Sequence, residues 1–245
     1  ASDCVGADVE KMAGELRDGD VLLLENLRFH PQEEANDQAF SRQLAALCDV
    51  YVNDAFGSAH RAHASTEGIA HHVSQAAAGL LMEKELLYLT RAISKPDRPY
   101  VAILGGAKVS DKIEVIDNLL KLCDSLLIGG AMAYTFLKVQ GYATGGSLVE
   151  ADKLDLAQRV LDEARQRNFR LLLPTDHVIA EKVEAGAEKR VVDASAPGGI
   201  PDGWKGLDIG PATIQAYASE IARAKTIVWN GPMGVFEVEA SAKGT

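Results

Sequence analysis

The chain is poor in cysteine. It has three, Cys4, Cys48 and Cys123, an odd number with no C-x-x-C pair, which argues against a disulfide framework or a structural zinc site. Cys48 and Cys123 sit among apolar neighbours and are expected to be buried small hydrophobes in a reducing compartment. No apolar run approaches the ~20 residues of a membrane helix, so no membrane partner is expected. Ala1-Ser2-Asp3-Cys4 shows no basic-then-apolar leader, and a cytoplasmic location is the expectation. A basic stripe is also missing: 35 acidic residues outnumber 25 basic ones, for a net charge of -10. Nucleic acid is therefore not an expected partner. Any anion must be held locally, by backbone N–H groups and a few placed cations. Neither G-x-x-x-x-G-K-[ST] nor G-x-G-x-x-G occurs, which excludes a generic P-loop or dinucleotide-binding label.

What remains is an ordinary globular balance, 47% hydrophobic and 24% charged over 245 residues, enough for one large or two smaller α/β domains. Short β-rich runs recur at Val21–Leu24, Val50–Val52, Tyr100–Leu104, Leu126–Ile128, Leu171–Leu173 and Thr226–Trp229. Helical patterns separate them; Ile113, Ile116, Leu119, Leu120 and Cys123 share one face. Strands alternating with helices predict βαβ units around parallel sheets. One strong helical run, Leu80–Ile93, follows Gly79 and is stopped by Pro96 and Pro99. It fits a rigid element between two blocks or an ordinary crossover helix.

Three segments repeat one design, an apolar strand, then glycines, then a helix start. They are Val101–Lys112 with Gly105, Gly106 and Lys108, Leu126–Met132 with Gly129 and Gly130, and Ile227–Glu237 with Asn230 and Gly231. Such turns lie at the carboxyl ends of parallel strands, where open α/β sheets bind ligands. Glycine there admits a ligand close to the backbone, and a helix N-terminus offers unpaired amides to phosphate; equally, glycine simply makes a tight turn. Ser110 reads as an N-cap, which puts Lys112 in the first helical turn. A lysine there opposes the helix dipole, which suits a bound anion or, more plainly, a solvated side chain. Upstream, Arg28 in Glu25–His30 and Arg61 in Asn53–His63 would share a sheet edge and can grip a phosphate or carboxylate. His60 and His63 fit anion contact or hydrogen-bonded support better than metal ligation, since no H-E-x-x-H frame or cysteine partner accompanies them. A metal hydrolase built on them would carry zinc or manganese. His71-His72 reads as surface.

Taken together, Leu24-Glu25-Asn26-Leu27-Arg28-Phe29, Asn53-Asp54-Ala55-Phe56 with His60-Arg61-Ala62-His63, Gly105–Ile113 and Trp229–Glu237 resemble the phosphoglycerate kinase family, in the right order and over nearly the whole chain. The resemblance implies two parallel-sheet, Rossmann-like α/β domains joined by a helix, both incomplete here. Residues 1–79 would belong to the 3-phosphoglycerate domain, 80–94 to the joining helix, and 95–245 to the nucleotide domain. It implies that Arg28 and Arg61, with His60 and His63, bind 3-phosphoglycerate, and that Lys108 and Lys112 face the nucleotide phosphates and the transferring group. Gly105 and Gly106 would lie at the nucleotide, Gly130 and Gly206 at the adenine pocket, and Glu237 and Asn230 at the ribose. The implied reaction is Mg²⁺-dependent, reversible transfer between ATP and 3-phosphoglycerate, giving ADP and 1,3-bisphosphoglycerate, by a monomer. No metal ligand is expected within this chain. The family's opening strand and its final phosphate loop have no counterpart here, so turnover by these residues alone is not expected. A non-catalytic nucleotide-binding module is the alternative.

Overall fold

The computed structural model describes residues 1–194 and 199–245. The chain divides into two compact units, Ala1–Thr90 and Arg91–Thr245.

In the first unit, helices α1 (Ala7–Gly14), α2 (Pro31–Glu34) and α3 (Gln38–Ala45) precede strand β1 (Val50–Asn53), the short helix α4 (Phe56–Ala59) and strand β2 (Gln75–Ala78). Asp37 caps α3, its carboxylate accepting the Phe40 amide at 2.8 Å, as an aspartate at that position should. The helix then buries Phe40, Leu44 and Ala45 against Cys4, Ala64 and Ile69. Strands β1 and β2 run parallel, Val50 opposite Gln75 and Asn53 opposite Ala78. Helix α5 (Leu80–Ser94) follows at once, and its start is held by Asp54, whose carboxylate accepts the Met82 amide at 2.8 Å.

Two expectations for this unit are corrected. Val21–Leu24 is not a strand. Its exposure alternates as a strand's would, with Val21 90% and Leu23 83% exposed. Yet a strand needs a ladder, and its neighbours supply only isolated bonds, from the Ala1 amine to the Leu23 carbonyl and from the Glu25 amide to Asp3. Cys48 is exposed, whereas Cys123 is buried as expected. Cys48 follows the last turn of α3 and lines an open apolar cavity of about 520 Å³, so apolar neighbours in sequence do not enclose it.

The second unit is built on a four-stranded parallel sheet. Its members are β3 (Tyr100–Leu104), β4 (Ser125–Ile128), β5 (Arg170–Leu172) and, last along the chain, β9 (Thr226–Asn230), in spatial order β5-β4-β3-β9. Every residue of β3 and β4 is buried, which explains why both read as continuous apolar runs rather than alternating ones. Ala102, Leu104, Leu126 and Ile128 face one layer, packing on helices α6 (Ile113–Leu122), α7 (Met132–Val139) and α8 (Leu154–Gln166) through Ile116, Leu120, Phe136 and Val160. Val101, Ile103 and Leu127 face the other, meeting Ile209, Tyr217 and Met233. Truncating fully buried Phe136 to alanine would cost about 3–5 kcal/mol. The Tyr217 hydroxyl donates to the carbonyls of Ile128 at 2.7 Å and Leu172 at 3.1 Å, tying helix α9 (Pro211–Ile221) to two strand ends.

A three-stranded antiparallel sheet, β7-β6-β8 in space, is an addition that strand–helix alternation did not anticipate. It comprises β6 (Asp176–Ala180), β7 (Arg190–Asp193) and β8 (Lys205–Ile209), with a register shift between Val178 and Ile179. Buried Asp176 accepts the amides of Ala212 and Thr213 and so caps α9 from β6. Among the described residues, no helix is long and apolar enough to cross a membrane.

Candidate active site

In the second unit the glycine-rich turns after β3, β4 and β9 converge. They are joined backbone to backbone: the Gly105 amide donates to the Asn230 carbonyl at 3.0 Å, Gly106 to Pro232 at 2.9 Å, Gly130 to Met233 at 2.9 Å and Met132 to Gly106 at 3.0 Å. Here glycine answers first to the neighbouring turns. Gly130 has φ +65, and a Cβ there would lie 2.4 Å from the Gly106 nitrogen. On Gly206 a Cβ would stand 1.7 Å from the Tyr134 hydroxyl. The N–H groups of Gly105, Gly106 and Gly130 are thus already paired within the protein.

Above the joined turns lies a recess of about 190 Å³, lined by Gly106, Gly130, Gly206 and Glu237 together with Tyr134 and Asp208. That is below the ~300–1,000 Å³ of a whole-ligand pocket. Asp208 is buried and accepts the amides of Ile209 and Gly244, each at 2.8 Å. Burial raises its carboxyl above the usual carboxylate range, against those hydrogen bonds.

The lysine loop runs out of this recess. Lys112 donates from Nζ to Asn230 Oδ1, which brings two of the sequence-predicted residues into contact; Lys108 is exposed. Ser110 is not the N-cap. Residues Ser110–Lys112 form a 3₁₀ turn, α6 starts at Ile113, and Lys112 holds the cap position without a side-chain cap bond. The reason is Glu150. Its carboxylate accepts the amides of Val109 and Ser110 and the Ser110 hydroxyl, at 2.6 Å for the last, so Ser110 has no reason to turn back on its helix.

The first unit gathers the remaining candidates around α2. Asn26 accepts the Arg28 amide at 3.0 Å and sets the turn that presents Arg28. The Arg28 guanidinium is half exposed, 3.7 Å from Glu34. His60 and Arg61 are exposed at the end of α4, with no side-chain partner for Arg61 among the described residues. His63 is nearly buried, its Nδ1 3.8 Å from Glu33. Glu33 is itself buried and accepts the Ser65 amide at 2.9 Å and the Ser65 hydroxyl at 2.5 Å. Consecutive glutamates of α2 therefore touch both arginine-bearing segments. Glu33 and Glu150 escaped the sequence reading, because an acid in an acidic chain carries no pattern that separates a buried anchor from a solvated charge. The potential metal-binding side chains that cluster among the described residues are Asp3, Cys4 and His30, not His60 and His63.

Known proteins resolve what these sites belong to. The family model described as phosphoglycerate kinase matches residues 1–245. A phosphoglycerate kinase of Acidobacterium capsulatum is 62% identical over 243 residues, covering 99% of this chain and 60% of that protein. That of Moorella thermoacetica is 60% identical over 244 residues, covering 100% and 61%. Among solved structures, the enzyme from Pyrococcus horikoshii superposes with TM-score 0.86 at 33% identity, covering 100% of this chain and 62% of that one. The enzyme from Coxiella burnetii gives 0.78 at 44% identity, covering 93% and 58%. The chain spans about three-fifths of the length of the relatives it matches, and over that span it belongs to the phosphoglycerate kinase family.

Proposed function

We propose that this chain carries the greater part of the machinery for reversible phosphoryl transfer between ATP and the carboxylate of 3-phosphoglycerate. Residues 1–79 would serve the acid substrate, 80–94 would join the two parts, and 95–245 would hold the nucleotide. The observation that carries the reading is the meeting of Lys112 and Asn230 beside a recess formed by Gly106, Gly130, Gly206 and Glu237. In this reading the recess takes the base, Glu237 and Asn230 take the ribose side, and Lys108 and Lys112 take the phosphates.

The acceptor is a carboxylate, already ionised at neutral pH because carboxylic acids titrate near pKa 4. No general base is needed, so the chain's task is to position the reactants and to neutralise charge on the transferring group. Lys112 serves the second task, released from Asn230 to the phosphoryl oxygens. One well-placed electrostatic donor is worth about 2.7–4 kcal/mol of barrier, by analogy with oxyanion holes. Arg28 and Arg61, with His60 and His63, hold the anionic acid. Magnesium would supply further charge neutralisation on the nucleotide. It favours oxygen ligands and keeps several waters, whereas both Glu150 oxygens are engaged beside the lysine loop and Asp3–Cys4–His30 lies in the other unit. These residues do not form a magnesium cage.

Calorimetry with ADP, followed by a coupled assay for 1,3-bisphosphoglycerate formation in the full-length protein, tests the reading. Binding with turnover is expected. Binding without turnover in the full-length protein would reduce the chain to a nucleotide-binding module, and no binding would dismiss the nucleotide site.

A further inference from the structure

Glu150 is only partly buried, yet its carboxylate makes three hydrogen bonds to one short stretch of chain: the Val109 amide, the Ser110 amide at 3.1 Å and the Ser110 hydroxyl at 2.6 Å. That stretch lies between Lys108 and Lys112. Two successive amides opening toward one anion are the arrangement with which a turn or helix start grips a phosphate oxygen. Here the anion is supplied by the chain itself. The other end of the latch is firm. The Glu150 amide donates to the hydroxyl of Thr135, a buried residue of α7, at 3.2 Å, and the residues after Glu150 lead directly into α8. Val109 is fully buried in the same core, so the loop is pinned twice at one point, by an apolar side chain and by a carboxylate on its amides.

We infer that Glu150 is a positioning residue for phosphoryl transfer: it acts as a built-in anion on the amides of Val109 and Ser110, and by fixing that point it fixes where Lys108 and Lys112 stand. The inference rests on the nucleotide reading given above. It assigns Glu150 to the phosphate end of the site and leaves recognition of the base, which uses Gly130, Gly206 and Glu237, independent of it. A loop of this length, freed at its midpoint, can carry its lysines an ångström or more from their places, and a displacement of that order can cost about 10²-fold in rate.

The test compares Glu150→Ala and the milder Glu150→Gln with wild type, in the full-length protein for turnover and by calorimetry for binding. Expected for Glu150→Ala is a kcat lower by about 10²-fold, with the KM for 3-phosphoglycerate little changed. ADP should bind more weakly while adenosine binds as before. Sodium formate, a carboxylate small enough to re-occupy the two amides, should restore part of kcat in Glu150→Ala and do nothing for wild type or Lys112→Ala. Glu150→Gln, which keeps one acceptor oxygen but sets an amide donor against donors, should fall between and ignore formate. Unchanged kcat and ADP affinity would overturn the inference. So would equal weakening of ADP and adenosine with no response to formate, since that is the mark of a general packing defect. Wild-type turnover tests the kinase reading itself, whereas the contrast between ADP and adenosine tests Glu150 whatever the turnover result.

Discussion

At the scale of single residues, charge is placed sparingly. The chain has a net charge of -10, yet the groups proposed to meet anions are cations held by few contacts. Lys112 has one neutral partner, Asn230. Replacing Lys112 by alanine should lower kcat about 10²–10³-fold, the range seen for loss of one oxyanion-type donor, while ADP affinity falls modestly. Steady-state kinetics and calorimetry check both, and an unchanged kcat would remove Lys112 from the chemistry. Arg28 differs, because it already has a carboxylate, Glu34, at 3.7 Å. That pair is exposed and worth little, so the guanidinium remains open to an anion of better geometry. Arg28→Ala is expected to raise the KM for 3-phosphoglycerate well above any change in the KM for ATP. Equal effects would make Arg28 structural.

At the scale of elements, β6 carries a group whose charge state matters to folding. His177 is buried, with its Nδ1 3.3 Å from the Tyr134 hydroxyl. Burial pushes its imidazole down from 6.5 to about 4, despite the opposing fields of Asp176 and Asp193. Because the folded form resists the proton and the unfolded form accepts it, stability is complete above about pH 6.5 and is lost as pH falls toward 4. The loss is about 3 kcal/mol for a shift of this size. Urea unfolding across that window, with Tyr134→Phe/His177→Phe as the control, should show the acid limb flatten in the double variant; an identical limb would clear His177. Elements also show what a sequence can reveal. Strand β3 matched its expected span to the residue and α5 ended one residue late, because an apolar run and a long periodic helix bounded by prolines carry their own signals. Strand β2, Gln75–Ala78, was not among the expected strands, since alanine and glutamine have little β preference and the strand exists through its pairing with β1. Val21–Leu24 failed in the opposite sense, with a strand's pattern and no ladder. The three glycine turns were legible as a set. The acids that brace the candidate residues, Glu33 in the first unit and Glu150 and Asp208 in the second, were not, because only three-dimensional partners distinguish them from surface charge.

At the scale of the whole molecule, the two compact units can be followed separately. Both tryptophans, Trp204 and Trp229, belong to Arg91–Thr245, and Ala1–Thr90 has none. ADP at a hundred times its Kd should stabilise the unfolding transition seen by tryptophan fluorescence by about 2.7 kcal/mol. A transition seen by circular dichroism but silent in fluorescence should not move. If both shifted equally, nucleotide binding would not be confined to the second unit. The stitching of the three glycine turns has a further consequence, for how such a protein can vary. Since Gly105 lends its amide to the last residue of β9 and Gly106 and Gly130 lend theirs to the turn after it, adding or deleting one residue in any of the three breaks bonds in another. These turns can change length only in concert. Length variation is freer in the largely exposed connection 181–189 between β6 and β7, whose hydrogen bonds stay local, Glu188 pairing with Arg190. Inserted tags or loops belong there, with the nucleotide recess left undisturbed.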